Sequence, residues 1–267
     1  MDILDKIIAN KRKEVISQKD AIPLKTLIDL NVSQFERPVC SMRDALAKSA
    51  SGIIAEFKRK SPSKGWIFPE AKVEDIAPAY ETGGAAACSV LTDFEFFGGT
   101  FDDLSRARLL VRMPLLRKDF MVDEYQIYQA RTIGADAILL IASVLTPKEC
   151  LQFARKAHEL GMDVLLEIHR ENELHCLNQH IDMLGVNNRN LGTFYTSVQN
   201  SFQLLEKMQK ETGAGEDAPL FVSESGISDV QTIRELRSAG FRGFLIGEMF
   251  MKTSYPGKTL NELICQL

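Results

Sequence analysis

The chain has 267 residues, of which 45% are hydrophobic and 25% are charged, and its formal net charge is −4. The length suits one α/β barrel, and the acidic balance excludes the strongly basic surface expected of a nucleic-acid-binding protein. No apolar run is long enough to span a membrane, and the charged N-terminus lacks a signal-peptide core, so we expect a cytoplasmic protein without membrane contact.

The five cysteines are scattered and form no C-x-x-C pair, which is typical of free thiols in a reducing compartment. The histidines show no spacing that is characteristic of metal ligands. We therefore interpret His169, His175 and Cys176 as ordinary helix and loop residues, and the sequence predicts no metal centre.

The first 50 residues are predicted to form a helical extension. Apolar residues recur at helical spacing from Ile3 to Gln18, with charged residues between them, and Met42–Ala50 can form another helix. The basic cluster at 11–13 is short and is followed by Glu14, so we interpret it as a solvated helix face. Because these segments precede the first clear strand, the extension should pack on the main body.

A repeating pattern begins after Gly52. A short apolar run ends in polar residues, an amphipathic helix follows, and a glycine near the helix end, as in a helix C-terminal cap, leads to the next run. Eight runs are predicted to be buried strands: Ile53–Phe57, Ala85–Leu91, Leu115–Leu116, Ala137–Ile141, Val164–Ile168, Met183–Val186, Leu220–Val222 and Gly243–Ile246.

Amphipathic helices are predicted after the strands at Val73–Thr82, Phe101–Arg112, Glu124–Ile133, Pro147–Leu160, Glu171–Leu177, Val198–Lys210, Asp229–Ala239 and Gly257–Gln266. Eight such units predict an α/β fold, a single (β/α)8 TIM barrel, with residues 1–267 as one domain and residues 1–50 as its N-terminal helical extension. An open doubly wound sheet is the alternative, but no Gly-x-Gly-x-x-Gly follows the first strand.

Most of the predicted strands end in polar residues. In a barrel, the C-terminal ends of the strands surround the active site. The polar residues are Glu56, Lys58, Arg117, Lys118, Asp119, Glu167, His169, Asn187, Arg189, Glu224, Ser225 and Glu248. Lysines beside a glutamate suit acid–base chemistry on a carbonyl or hydroxyl group, or Schiff-base formation, and the residues alone leave both open. We expect Lys58 and Arg189 to lower the pKa of Lys118 by charge repulsion.

Glycines after the last two strands predict a phosphate site. Gly226 and Gly247 lie in the two loops where many barrels hold phosphate beside a short extra helix. Glu248–Met251 can be that helix, and Ser61, in the loop after the first strand, can add a hydroxyl donor. The alternative is that both glycines only shape tight turns.

The phrase Ile54-Ala55-Glu56-Phe57-Lys58-Arg59-Lys60-Ser61-Pro62-Ser63 resembles the signature of the indole-3-glycerol-phosphate synthase family. Other segments that resemble its motifs are Leu116-Arg117-Lys118-Asp119-Phe120, Leu166-Glu167-Ile168, Gly185-Val186-Asn187-Asn188-Arg189-Asn190-Leu191, Glu224-Ser225-Gly226-Ile227 and Leu245-Ile246-Gly247. The resemblance covers nearly the whole chain. It implies a monofunctional carboxy-lyase built as a (β/α)8 barrel with extra N-terminal helices, without a metal or organic cofactor.

The reaction implied by the resemblance belongs to tryptophan biosynthesis. It converts a small phosphorylated molecule, 1-(2-carboxyphenylamino)-1-deoxyribulose 5-phosphate, to indole-3-glycerol phosphate, with loss of carbon dioxide and water. Lys118 resembles the general acid that protonates the substrate carbonyl, and Glu167 the carboxylate that supports the cationic intermediate. Glu56 and Lys58 resemble a pair that handles proton transfer and the substrate carboxylate. Which lysine and glutamate act in dehydration stays open.

The resemblance implies binding roles as well. Asn187 and Arg189 resemble substrate-orienting groups and Ser225 a substrate-contacting residue, and Asn187 and Ser225 are also counted with the catalytic residues. The phosphate-site positions are Ser61, Gly226, Gly247 and Glu248, and the apolar positions around the substrate's aromatic ring are Phe97, Phe120 and Leu191. Some relatives have serine at position 248, where this chain has an acid whose carboxylate should point away from a phosphate. The extension should lie near the barrel mouth, where Ile7 and Ile8 can pack beside the aromatic end of the substrate.

Two other functions agree less well with the residues at the strand ends. Phosphoribosylanthranilate isomerase chemistry requires a cysteine and an aspartate at strand ends, whereas Cys88 lies inside the second predicted strand. A non-catalytic phosphosugar-binding barrel predicts that charges are missing from the rim, and here the rim is complete. We expect a monomer or a weak homo-oligomer.

Overall fold

Eight parallel strands close a barrel in the computed structural model, which describes residues 3–190, 192, 194–213, 215 and 218–267. Each strand pairs with its neighbours in the chain, and the last pairs with the first. The strands are β1 (Ile53–Phe57), β2 (Ala87–Leu91), β3 (Leu115–Lys118), β4 (Ala137–Ile141), β5 (Asp163–Ile168), β6 (Met183–Asn187), β7 (Leu220–Glu224) and β8 (Gly243–Ile246). The predicted (β/α)8 barrel is confirmed.

Helices precede the barrel and connect its strands. They are α1 (Ile3–Ala21), α2 (Leu24–Asp29), α3 (Val32–Glu36), α4 (Met42–Lys48), α5 (Val73–Thr82), α6 (Phe94–Phe97), α7 (Phe101–Leu110), α8 (Tyr125–Thr132), α9 (Pro147–Glu159), α10 (Gln199–Thr212), α11 (Val230–Ala239), α12 (Glu248–Met251) and α13 (Pro256–Ile264). Within the described residues, none is both long and apolar enough to cross a membrane.

The prediction of an α-helix between β5 and β6 is wrong. The segment Glu171–Cys176 is a 3₁₀ helix, closed by tight bonds such as Leu177 N to Leu174 O at 2.9 Å. Six residues are too few to present a long apolar stripe to the sheet, so a compact 3₁₀ connection suffices here. The short helix predicted directly after β8 is confirmed as α12.

The strands form because both of their faces are buried. Successive side chains alternate between the two sides of a strand. In β1, Ile53, Ala55 and Phe57 therefore pack outward against the helices, whereas Ile54 points into the barrel. Each large apolar side chain buried in this way contributes about 1.5–3 kcal/mol to stability.

The N-terminal extension runs from one end of the barrel to the other. Lys11 in α1 is buried among barrel carboxylates beyond the C-terminal ends of β2 and β3. Helices α2 and α3 then pack along α8. At the opposite end, Met42 and Leu46 of α4 are fully buried in the same cluster as the inward residues of the strands. The extension therefore lies against both ends of the barrel.

The interpretation of the cluster at 11–13 as a solvated helix face is wrong for Lys11, whose side chain is only 1% exposed. A buried ammonium needs partners of opposite charge. Here Asp93 and Asp119 come from loops far along the chain, which local spacing does not reveal.

A second buried charge holds the extension at the lower end of the barrel. Asp136, directly before β4, is fully buried. One of its oxygens accepts from Arg37 Nη1 at 2.9 Å and from Cys40 N at 3.1 Å. The other accepts from Arg108 Nη1 at 2.6 Å and from Leu115 N at 3.0 Å. The Asp136 carboxylate thus joins the extension to α7 and β3, the helix and the strand that precede Asp136 in the chain.

Replacement of Asp136 by alanine should lower the free energy of unfolding by about 3–5 kcal/mol, because two arginines and two backbone amides lose their acceptor. The matched control is Asp44→Ala, whose partner Lys48 is exposed, with an expected loss of no more than about 1 kcal/mol. Urea unfolding followed by far-ultraviolet circular dichroism measures both. Equal losses in the two variants would contradict this role for Asp136.

Candidate active site

A cavity of about 620 Å³ opens at the C-terminal ends of the barrel strands. The predicted site residues that line it are Glu56, Lys58, Ser61, Phe97, Lys118, Phe120, Glu167, Asn187, Arg189, Ser225, Gly226, Gly247 and Glu248. Leu191, which was also predicted, lies outside the described residues. The tertiary structure therefore brings these separated positions into one chamber.

Strand alternation explains why charged groups reach the centre of the cavity. Leu116, Leu165 and Val222 point into the barrel and are buried there. Residues two positions later share the same face. Lys118 and Glu167 consequently lie above this apolar layer, at the upper end of the barrel interior.

The central contact is an ammonium group flanked by two carboxyl groups. Lys118 Nζ lies 3.1 Å from Glu167 Oε2 and 3.7 Å from Glu224 Oε2. The Glu224 side chain is 1% exposed, and it belongs to the centre of the site although no role was predicted for it. Its position two residues after the inward Val222 is the sequence signal that could have identified it.

The expected direction of the Lys118 pKa shift is wrong. Burial by itself lowers the pKa of this ammonium, but Glu167, Glu224 and Glu56 outweigh burial and raise it above its ordinary value. The expectation was based on nearby cations. Lys58 instead forms an ion pair with Glu56, so its charge is locally compensated.

The two central carboxyl groups differ in their protonation. Burial opposes ionisation of Glu167, but the charges of Lys118 and His169 outweigh it and lower its pKa. Burial and the neighbouring charge of Glu167 raise the pKa of Glu224 to about 8. Because the two carboxyl groups interact, they titrate as a pair, and the opposite shifts favour the negative charge on Glu167 and the proton on Glu224.

His169 lies behind Glu167 rather than at a metal site. Its Nε2 is 3.5 Å from Glu167 Oε1, and its Nδ1 is 3.7 Å from Glu173 Oε2. No group of three or more histidine, cysteine, aspartate or glutamate side chains within the described ranges is arranged to hold a metal ion.

One side of the cavity carries cations and a glycine-containing turn. Arg189 Nη1 donates to Ser63 Oγ at 2.9 Å, and its Nη2 lies 3.3 Å from Glu248 Oε2. Lys64 Nζ is 3.9 Å from the other Glu248 oxygen. The Glu248 carboxylate thus faces the cations at this side of the cavity. Gly226 has φ +76°, a conformation that favours glycine.

The opposite side of the cavity is apolar. The rings of Phe97 and Phe120 have centroids 5.9 Å apart. Ile7 lines the cavity with Ile3 and Leu4, which confirms that the extension reaches the barrel mouth. Ile8 was also expected to pack beside the aromatic end of the substrate. That expectation is wrong, because the Ile8 side chain packs into a separate cluster with Val15 and Tyr125.

Cys88 is poorly placed for isomerase chemistry. It lies inside β2 and packs outward in the cluster that faces the helices. Burial, with the charge of Glu56, raises the pKa of its thiol to about 12. A thiol that stays protonated and faces away from the cavity cannot serve as an acid–base partner there.

The fold is shared with solved structures of distant sequence. A mutant tryptophan synthase alpha-subunit of Pyrococcus furiosus aligns with a TM-score of 0.60 at 14% identity, over 81% of this chain and 99% of that chain. A second mutant of the same subunit gives a TM-score of 0.58 at 12% identity, over 80% and 96% of the two chains. At these identities, the likeness establishes the barrel fold alone.

Comparisons of sequence are more specific. The model of the indole-3-glycerol phosphate synthase family matches residues 4–263. The protein of that name from Bacteroides thetaiotaomicron is 55% identical over 264 residues, covering 98% of each chain. Its namesake from Neisseria gonorrhoeae is 43% identical over 267 residues, covering 98% of this chain and 99% of the relative. The chain therefore belongs to the indole-3-glycerol phosphate synthase family.

Proposed function

We propose that this chain closes the indole ring of indole-3-glycerol phosphate, with Lys118 as the general acid. The substrate is 1-(2-carboxyphenylamino)-1-deoxyribulose 5-phosphate, and carbon dioxide and water are lost. The observation that carries the assignment is the ammonium group of Lys118, held between Glu167 and Glu224 in a cavity with an aromatic side and a cationic side. The substrate has the same three parts: an aromatic acid, a reacting carbonyl and a phosphate.

The substrate would lie across the cavity in one orientation. Phe97 and Phe120 would bind its aromatic ring, since apolar planar groups pack well against such side chains. The phosphate would lie at the opposite side, near Arg189 and the loop amides at Gly226 and Gly247. The carbonyl group would then lie near Lys118, in the middle of the cavity.

Ring closure develops negative charge on the carbonyl oxygen as the aromatic carbon attacks. Lys118 would stabilise that charge and donate its proton. Its raised pKa does not prevent this step, because an alkoxide is about as basic as hydroxide and is therefore a stronger base than the lysine amine. Proton transfer to the alkoxide is therefore favourable.

The carboxyl groups would act on the later intermediates. Glu167, whose pKa is lowered, would support the cationic intermediate as carbon dioxide leaves. Glu224, protonated near neutral pH, would donate a hydrogen bond to a substrate oxygen. Glu56 and Lys58 form an ion pair at the same rim and are the candidates for proton transfer during dehydration.

We also propose how the chain is organised, where it works and how it assembles. The extension and the barrel would act as one domain, since α1 lines the cavity and α4 packs in the barrel core. The chain would work in the cytoplasm, consistent with its five free cysteines. It would be a monomer or a weak homo-oligomer, which size-exclusion chromatography with light scattering can measure.

The direct test of the function is product formation. Purified protein is mixed with the synthetic substrate, and indole-3-glycerol phosphate is followed by its fluorescence. Appearance of the indole product with release of one carbon dioxide supports the proposal. Substrate that binds without conversion would instead indicate a phosphosugar-binding protein.

Lys118→Ala should reduce turnover by at least about 10²-fold, because a positioned general acid is typically worth about 10²–10⁴-fold. Substrate should still bind, since the aromatic and phosphate contacts lie elsewhere. Lys118→Arg should not restore turnover, because guanidinium is a poor proton donor near neutrality. Single-turnover kinetics measures the chemical step. The matched control, Lys148→Ala, removes an exposed lysine and should leave the rate unchanged.

If Lys118→Ala kept more than about a tenth of the wild-type single-turnover rate, a loss smaller than any typical of a general acid, Lys118 would not be the acid. Lys58 would then take its place as the leading candidate.

Glu224→Gln should remove a pH dependence. In the wild type, kcat/KM should fall as the pH rises through about 8, because ionised Glu224 adds negative charge beside Glu167 and binds the Lys118 proton more tightly. Glutamine imitates the protonated form, so the fall should disappear. The control Glu262→Gln, on the exposed face of α13, should keep it. A fall that persists in Glu224→Gln would show that another group titrates.

Glu248→Gln should tighten phosphate binding. The Glu248 carboxylate faces Arg189 and Lys64 and repels an anion between them. Because the group is partly exposed, the effect should be about two- to fivefold in the inhibition constant of inorganic phosphate. Glu262→Gln again serves as the control. Unchanged or weaker inhibition in Glu248→Gln would place the phosphate elsewhere.

A further inference from the structure

Lys11 connects the extension to the loops that carry the aromatic side of the site. Its Nζ lies 3.0 Å from Asp93 Oδ2, 3.0 Å from Asp119 Oδ1 and 2.9 Å from Glu14 Oε2. The side chains of Asp93 and Asp119 are fully buried. Two loops of the barrel thus converge on one cation from a helix outside the barrel.

Asp93 controls the position of the first aromatic residue. Its other oxygen, Oδ1, accepts from Phe96 N at 2.8 Å and caps the four-residue helix α6. Phe97 ends that helix and lines the cavity. A movement of Asp93 would therefore carry α6 and the Phe97 ring with it.

Asp119 controls the position of the second aromatic residue and of the proposed acid. It directly follows Lys118, and its Oδ1 accepts from Phe120 N at 2.8 Å. Its Oδ2 accepts from Thr92 Oγ1 at 2.7 Å and from Arg117 Nη2 at 2.9 Å. Opposite charges from Lys11 and Arg117 thus hold Asp119 from two sides.

Other contacts keep α1 on the barrel without Lys11. Val15 packs with Val122 and Tyr125 in a buried cluster. Lys19 also forms an ion pair with Asp123 at 2.9 Å. Loss of the Lys11 charge should therefore leave the helix docked and release only the two loops.

We propose that Lys11 is a positioning residue for ring closure. By holding the Asp93 and Asp119 carboxylates on one ammonium group, it sets the separation of Phe97 and Phe120 and the direction of Lys118. This inference rests on the proposed function, because it assigns the aromatic pair to the substrate's ring. A displacement of about 1 Å in such a supporting contact can cost on the order of 10²-fold in rate.

The test compares three variants at a temperature where each is folded by circular dichroism. Lys11→Met removes the charge and keeps the length of the side chain. Lys11→Met with Asp93→Asn also removes the unpaired buried charge and keeps an oxygen for the α6 cap, so it remains informative if the single variant fails to fold. Lys19→Met is the matched control, because it removes a partly exposed ion pair from the same helix.

The measurements separate positioning from general stability. We measure kcat/KM for ring closure and the competitive inhibition constants of anthranilate and of inorganic phosphate. Both Lys11 variants should lose at least about tenfold in kcat/KM, and their inhibition by anthranilate should weaken. Inhibition by phosphate should stay within about twofold of the wild type, since that site lies on the opposite side of the cavity. Lys19→Met should match the wild type throughout.

Two results would overturn the inference. One is kcat/KM within about twofold of the wild type in a folded Lys11 variant, far from the loss expected of displaced groups. The other is equal weakening of anthranilate and phosphate inhibition, which would indicate a purely structural role. Absence of ring closure in the wild type would count against the proposed function instead, and the dissociation constants of anthranilate, measured by isothermal titration calorimetry on the same variants, would then decide the role of Lys11.

Discussion

An ammonium group enclosed by carboxyl groups inside a closed barrel is the interaction on which this site depends. Lys118 lies between Glu167 and Glu224 above an apolar layer, where charges attract far more strongly than in water. Loss of the Lys118 ammonium group or of the Glu167 carboxylate would leave the other charge buried without its partner. The cluster thus fixes its pattern of charge in advance, as electrostatic stabilisation of a transition state requires.

The surrounding backbone makes room for these carboxyl groups. A β-carbon at Gly185 would overlap the Glu224 carboxyl group, and one at Gly247 would overlap that of Glu56. Position 247 therefore requires glycine for two reasons: an anion can approach the backbone there, and the Glu56 carboxyl group occupies the space of a side chain. Substitutions at either position would disturb the charge cluster directly, so their effects on activity would not report on phosphate binding alone.

The extension completes the barrel at both ends by different physical means. At the lower end, Met42 and Leu46 fill the barrel interior with apolar volume, and Asp136 fixes the chain with hydrogen bonds. At the mouth, Lys11 enters as a buried charge and Ile7 adds an apolar wall. Stability at one end and site geometry at the other thus depend on the same segment.

The sequence by itself determined the barrel and most of its rim. Strand alternation and helix-capping glycines depend on local spacing, and parallel strands must end at the same rim, so Lys118 and Glu167 were predicted to lie on one rim. Only the tertiary structure decided that Lys11 is buried, that Glu224 stands beside Lys118, and that carboxylates rather than cations set the Lys118 pKa. These properties depend on distances between side chains that are far apart in sequence, which local patterns do not contain.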